Sequence, residues 1–387
     1  MTRIRLFIAA LVFSFVALSA YWVYQKQTTN NPSVVNKVSV PDAKPELPQE
    51  SPESKLLNVT ADLLIGKSAD SNPPDAIDAS EWKQFSALID KNWHQYSTNI
   101  GLPMKDWAKT EVTTDKDTVF YPFSGPDFST LYQLYPNQSH YIMTALQPAE
   151  KLVDLSKLSK KSASQTLEVL SSAWNSFGGD GFFVTEYLYK YISKNNVRLG
   201  ASSLISTFLR LQGFSIQKII PIEVASDGQL VEKTPEDSWK SVRFYLLKDG
   251  RRVTLDYVRM DLSDKGLEES PQNYEFFKKS AQNPVVLKAA SHLPQHPLFK
   301  KVTAAILENA PSIVQDETGI GYLALNEVYD TVLYGDFKRA YKVFANYNRD
   351  LAKAYEARND EKPLPFRVGY FKGGTYALIV AKRKSTN

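Results

Sequence analysis

The chain has 387 residues, 43% of them hydrophobic and 12% aromatic, which is enough for a buried core in one large or two ordinary domains. Lys and Arg outnumber Asp and Glu by only 46 to 42, so composition gives no sign of the concentrated basic face that binds nucleic acid. The absence of cysteine excludes disulfides, thiolate metal sites and a Cys nucleophile.

The first 26 residues predict a membrane segment. Arg3 and Arg5 precede an apolar stretch, residues 6–24, with aromatic residues at its far end. About 20 helical residues span the ~30 Å hydrocarbon core, and leading arginines favour an N-terminus inside. We therefore expect a single-pass anchor in a bacterial inner membrane, with the rest in the periplasm or outside the cell. Two alternatives stay open: a signal peptide cleaved near residues 17–19, which also exports the chain, and a cytosolic protein with an apolar first helix.

Residues 27–57 are rich in polar residues and carry prolines at 32, 41, 45, 48 and 52. Such a segment buries too little apolar surface to fold, and its prolines keep it extended. We predict a disordered tether, followed by a single exported domain over residues 58–387.

The domain opens with a predicted helix that Ser80 caps, with Trp82, Phe85, Ile89 and Trp93 on one face. Residues 101–103, Gly-Leu-Pro, are expected to end this region.

Residues 117–148 predict a compact β-α-β unit. Strand 119–123 leads into the turn Ser124–Gly125–Pro126–Asp127, then a short helix ending at Pro136 and strand 141–146. The turn after the first strand could hold a ligand.

A helix with Leu167, Leu170, Trp174 and Phe177 on one face precedes Gly178–Gly179–Asp180–Gly181. Glycine-rich loops can cradle phosphates, but this one follows a helix and has neither GK[ST] nor GxGxxG spacing. It is interpreted as a turn.

Later segments alternate between helices and strands. Gly213 ends a helix, strand 214–224 follows, and residues 242–260 form a hairpin around Asp249–Gly250. Further predicted elements are helix 272–281, apolar segment 285–290, a helix opened by Pro297, strand 313–316, a long helix with Tyr341, Phe344, Leu351 and Tyr355, and a closing hairpin of 366–370 with 376–380 around Gly373–Gly374.

One parallel pair, two antiparallel hairpins and flanking helices predict a three-layer α/β domain with a mixed sheet.

Three catalytic or metal patterns are incomplete. A hydrolase elbow at Ser124 needs glycine two residues earlier, where Pro122 stands, although His292, His296 and Asp316 could be partners. His292 and His296 have zinc-ligand spacing, but Pro294 interrupts the helix that they need. Finally, Asp115 with Asp117, or Asp256 with Asp261, could form a glycan-cleaving pair, a distance that sequence does not show.

The segment Tyr121–Phe128, YPFSGPDF, resembles a set of uncharacterised bacterial exported proteins, together with motifs at 135–136, 146–148, 288–291, 313–316, 319–320 and 363–366. This resemblance spans residues 80–382 and implies an exported domain with no assigned activity. The order of elements is also similar to the Rossmann-like sheet of methyltransferases. Their cofactor loop is glycine-rich, whereas Gly125 stands here between Ser124 and Pro126, so we expect no cofactor and no metal.

The sequence thus predicts a membrane-anchored envelope protein whose domain binds an envelope protein or a glycan. The alternative is an envelope hydrolase or transferase with a pocket at the turn Ser124–Asp127. For that enzyme the candidate residues are Ser124, Asp127, Asp180 and Asp316, because ligands of open α/β sheets bind outside the carboxyl ends of strands.

Overall fold

The fold was analysed in a computed structural model that describes residues 51–183, 199–340, 344, 347–370 and 376–385, apart from the side chain of Asp180. The apolar segment 6–24 and most of the predicted tether lie outside these residues. Within the described ranges, no helix has both the length and the apolarity needed to cross a bilayer. The described residues all belong to one compact unit.

A ten-stranded mixed sheet organises the described residues. Its strands are β1 (Thr118–Tyr121), β2 (His140–Ala145), β3 (Ser215–Val224), β4 (Leu230–Glu232), β5 (Ser241–Lys248), β6 (Arg251–Arg259), β7 (Val285–Leu287), β8 (Ser312–Asp316), β9 (Tyr329–Asp336) and β10 (Tyr376–Arg383). Their order is β4-β3-β5-β6-β2-β1-β7-β8-β10-β9, and the five strands from β6 to β8 are parallel.

Helices cover both faces of the sheet. They are α1 (Pro52–Leu63), α2 (Ala79–Tyr96), α3 (Leu102–Glu111), α4 (Phe128–Leu134), α5 (Lys160–Asp180), α6 (Ala201–Leu211), α7 (Asp264–Glu269), α8 (Pro271–Ser280), α9 (Lys300–Asn309), α10 (Tyr322–Val328) and α11 (Arg349–Ala357). Helices α1–α6 pack on the face of Val119 and Tyr121, and α7–α11 pack on the face of Phe120. The protein is therefore α/β with its sheet between two helical layers.

Two local predictions are confirmed. Strands β1 and β2 run parallel with α4 between them, and Thr118 pairs with His140. Strands β5 and β6 form the predicted hairpin, in which Asp249 and Gly250 adopt φ values of 49° and 73°. Both central residues thus have the positive φ that a type I′ turn requires.

The predicted C-terminal hairpin is wrong. Strand β10 lies between β8 and β9 and is antiparallel to both: Leu378 pairs with Asp316 on one side and with Tyr334 on the other. Residues 366–370 form no strand, and 371–375 lie outside the described residues. The alternation of side chains along residues 376–380 predicted the strand β10 correctly, but such alternation does not show which strands β10 pairs with. The sheet also holds five adjacent parallel strands rather than one parallel pair.

Several helix boundaries also differ from the prediction. Asp78 rather than Ser80 caps α2, because its carboxylate accepts from two backbone N–H groups. A π-helical turn continues α2 into α3, and Pro103 stands in the first turn of α3, so residues 101–103 do not end this helical region. Gly178 and Gly179 lie inside α5, which Gly181 ends at a φ of 72°. The predicted long helix is described only as α11; Tyr341 lies outside the described residues.

Helix α1 starts six residues before the predicted domain boundary at 58 and covers the edge of β3. The Asn58 Oδ1 accepts from the backbone N–H of Ile216 at 2.9 Å, and its Nδ2 donates to the carbonyl of the same residue at 3.1 Å. Arg210 pairs with Asp62 through two hydrogen bonds of 2.8 and 3.0 Å. The amide thus replaces a neighbouring strand at an edge that is otherwise open to further pairing.

Candidate functional site

The carboxyl ends of β1, β7 and β8 meet at one edge of the sheet, and β1 and β7 mark the point where the chain changes winding direction. Strained backbone is concentrated here: Phe123 after β1, and Ala289, Ser291 and His292 after β7, all have φ values between 51° and 58°. Such conformations cost about 1–3 kcal/mol each and cluster at functional sites. Ligands of doubly wound sheets also bind at this position.

A buried ion pair connects the loops after β1 and β7. The Lys288 Nζ donates to the Asp127 Oδ2 at 2.8 Å, to the Thr130 Oγ1 at 2.7 Å and to the carbonyl of Gly181. Asp127 also caps α4 by accepting from the Thr130 N–H at 3.0 Å. The adjoining cavity holds about 10 Å³, the lower limit for one water molecule. All three ammonium protons have acceptors, so this pair holds the loops together and leaves no room for a substrate.

The Ser124 hydroxyl also has a structural role, because its hydrogen bonds hold the turn after β1 in place. Its hydroxyl lies 2.9 Å from the carbonyl of Gly125 and 3.2 Å from that of Thr144, and the residue is buried. Among the described residues, no histidine or carboxylate forms a hydrogen bond with this hydroxyl. The contact with Thr144 fastens the turn to the end of β2.

Asp316 joins the loops after β7 and β8. Its carboxylate accepts from the backbone N–H of Ala289 at 2.7 Å and from the Thr318 N–H and hydroxyl at 2.8 and 2.5 Å. Burial raises the pKa of Asp316. Because Lys288 binds Asp127 and the next residue binds Asp316, one short segment brings these two predicted site residues close together. Ser124 lies on the neighbouring turn, and the side chain of Asp180 is not described.

The histidine pair is not on one helical face. His292 is buried with a φ of 57°, whereas the His296 Nδ1 accepts from the backbone N–H of Leu298 at 3.3 Å. Burial lowers the pKa of His292 to about 4. Across the described ranges, no three His, Asp or Glu side chains are arranged to hold a metal ion.

Glu317 was missed by sequence reasoning. It is buried; its Oε1 accepts from the backbone N–H of Tyr370 at 3.0 Å, while no group in the described residues bonds to Oε2. Burial, with the neighbouring Asp316 charge, raises the pKa of Glu317 well above its usual range. Burial thus favours the protonated, uncharged form of this carboxyl.

The predicted acid pair Asp256 and Asp261 also takes structural roles. Asp256 is fully buried on β6 and accepts from Arg243 at 2.6 and 2.9 Å and from His140 at 2.8 Å. Burial alone would raise its pKa, but these hydrogen bonds outweigh burial and lower the pKa to about 2. Asp261 accepts from the backbone N–H of Ser263 at 2.9 Å, while Asp115 and Asp117 are exposed.

An open groove of about 780 Å³ lies beside the buried groups, where the loops after β7, β8 and β9 converge. Ligand sites commonly have this size. Its lining residues are Gln295, Tyr322, Leu323, Tyr347, Asn348, Arg349, Asp350, Lys353 and Ala354. These residues share no sequence motif. The local sequence signal at this edge of the sheet is Lys288, a charged residue inside the apolar segment 285–290.

Comparison with models of protein families, with curated proteins and with solved structures found no match. The resemblance to exported bacterial proteins therefore stays a prediction, and the candidate site rests on its geometry alone.

Proposed function

We propose that this chain is a membrane-anchored protein of a bacterial envelope whose folded domain binds a ligand outside the cytoplasm. The observation that carries the binding role is the groove of about 780 Å³ at the carboxyl edge of the sheet. The apolar segment 6–24, which follows Arg3 and Arg5, is the reason for the proposed location.

The ionisable groups at the carboxyl ends of β1, β7 and β8 support binding rather than catalysis. Lys288 and Asp127 neutralise each other, and Asp316 is held by backbone N–H groups and a hydroxyl. A catalytic base or nucleophile must reach the reacting atom at hydrogen-bond distance, and these groups are enclosed by their own partners.

The alternative function is an envelope enzyme with its pocket at the turn Ser124–Asp127. The strained backbone at Phe123 and Ser291 favours it, because strain of this kind is common at active sites. An enzyme of this kind would lose turnover in Asp127→Asn without losing stability. The buried Lys288 instead predicts a marked loss of stability in that variant.

Two experiments test the proposal in cells. An alkaline phosphatase fused to the C-terminus should be active, because that enzyme works only outside the cytoplasm, and deletion of residues 6–24 should abolish this activity. A photo-crosslinking residue in place of Leu323, 64% exposed at the groove, should capture an envelope component. The same residue in place of Leu56, 56% exposed on α1, is the matched control. A reporter that is active only in the cytosol, or equal capture at both positions, contradicts the proposal.

A further inference from the structure

The groove presents an unpaired acceptor at Asn348. This residue is 5% exposed and begins α11 with a φ of 58°. Its Nδ2 donates to the carbonyl of Glu317, which turns the amide oxygen away from that carbonyl. No donor in the described ranges bonds to this oxygen, and the oxygen is not among the atoms sealed inside the protein. A ligand in the groove thus meets a hydrogen-bond acceptor on an ordered side chain.

Gln295 repeats this arrangement on the loop after β7. Its Nε2 donates to the carbonyl of Gly319 at 2.7 Å, so its amide oxygen also points away from the inner wall. No described residue donates to that oxygen. Phosphate and carboxylate groups offer only acceptors at neutral pH, so two acceptors in the wall disfavour them. Ligands that carry O–H or N–H donors are favoured.

The imidazole of His292 lies behind these two amides. The His292 Nδ1 lies 3.4 and 3.5 Å from the amide nitrogens of Gln295 and Asn348, and its ring stacks on Tyr347 with centroids 4.8 Å apart. Burial lowers the pKa of His292 to about 4 and raises that of Glu317 well above its usual range. His292 is therefore neutral at pH 7. The charged residues of the groove all lie on α11: Arg349, Asp350 and Lys353.

Apolar surface completes the groove. Leu323 is 64% exposed, and its backbone N–H is held by Asp350 at 2.9 Å. Tyr347 contributes an aromatic ring, and the exposed Lys353 offers a donor at the rim. A sugar ring suits this combination, because it has an apolar C–H face and hydroxyls that both donate and accept.

We infer that the groove binds a neutral, hydroxyl-rich glycan, whose hydroxyls donate to Asn348 Oδ1 and Gln295 Oε1 while its ring lies against Tyr347 and Leu323. This inference rests on the proposed function and adds the chemical class of the ligand.

The test uses the full-length protein in detergent micelles on an array of neutral bacterial oligosaccharides, anionic oligosaccharides and mixed-sequence hexapeptides. At least one neutral oligosaccharide should bind with a Kd below about 1 mM. Gln295→Leu removes an acceptor and should weaken binding about twofold to tenfold. Leu323→Ser should weaken it as well and, being at an exposed position, should leave folding intact. Leu56→Ser, at a similarly exposed position on α1, should bind like the wild type.

Each other outcome overturns the inference. Binding only to anionic oligosaccharides or peptides, weakened by Leu323→Ser, refutes a neutral glycan as the ligand but leaves the binding function in place. Glycan binding that neither groove variant weakens refutes the groove as the site. No binding to any probe refutes both the glycan and the groove, whereas the location part of the proposed function is decided separately by the phosphatase fusion.

Discussion

Replacement of Lys288 by Met tests whether the pair at the end of β7 is structural. Methionine has a similar length and leaves the Asp127 carboxylate buried without its counter-charge, although Thr130 still donates to it. Removing one partner of a buried ion pair costs about 3–5 kcal/mol. For a domain of this size we expect the melting temperature to fall by about 4–7 °C.

Thermal unfolding of the full-length protein, followed by near-ultraviolet circular dichroism, measures this loss. Lys116→Met, at an exposed lysine just before β1, is the control and should melt like the wild type. The double variant Asp127→Asn with Lys288→Met should recover more than about 1 kcal/mol, because no buried charge is left unpaired. Two results would show that the pair does not hold the loops together. One is a free energy of unfolding for Lys288→Met within about 1 kcal/mol of the wild type. The other is a double variant whose loss of stability equals the sum of the losses in the two single variants.

Three further predictions concern other parts of the fold. Gly369→Ala should destabilise the protein strongly, because φ is +70° and a Cβ would lie 2.1 Å from a buried carboxylate oxygen. Gly125→Ala, with φ +54° and open space around it, should cost only about 1–2 kcal/mol; equal melting temperatures would contradict this difference. The folded-state pKa of Asp256 is depressed to about 2, so the ionised carboxylate stabilises the fold above about pH 4. The free energy of unfolding should fall by about 2–3 kcal/mol as the pH falls towards about 2 and this carboxylate is protonated. In Asp256→Asn, the free energy of unfolding measured against pH should lack this fall between about pH 4 and about pH 2. The same pH dependence in the variant and the wild type would refute the role of Asp256. Asn58→Ala should cost about 1–3 kcal/mol and promote aggregation, measured by light scattering, because Ile216 loses both hydrogen bonds to Asn58 and keeps only the one from the Ser54 hydroxyl. Unchanged solubility and stability would show that this strand edge does not need to be covered.

The elements that could be predicted are those with local signals. Asp249–Gly250 specifies its own turn, and the short connection through α4 places β1 beside β2. The partner of β10 could not be predicted, because β9 lies about forty residues earlier and alternation is the same for any partner. The glycines at 373–374 suggested a local hairpin, but pairing in the sheet is decided by burial on both faces.

The candidate site could be predicted only in part. The edge of the sheet follows from the β-α-β unit, and Asp127 and Asp316 do lie near each other at this edge. The groove could not be predicted, because its residues come from three loops brought together by the strand order β7-β8-β10-β9. Lys288 could have been recognised, since a charge within an apolar strand segment requires a buried partner.

The position of β10 has a consequence for biosynthesis. Strands β8 and β9 emerge from the ribosome with facing edges that have no partner until residues 376–383 arrive to separate and join them. Unpaired edges of this kind are prone to association with other chains. The nascent domain therefore stays incomplete until β10 is synthesised, and without β10 the strand β9 would have no link to the other strands of the sheet.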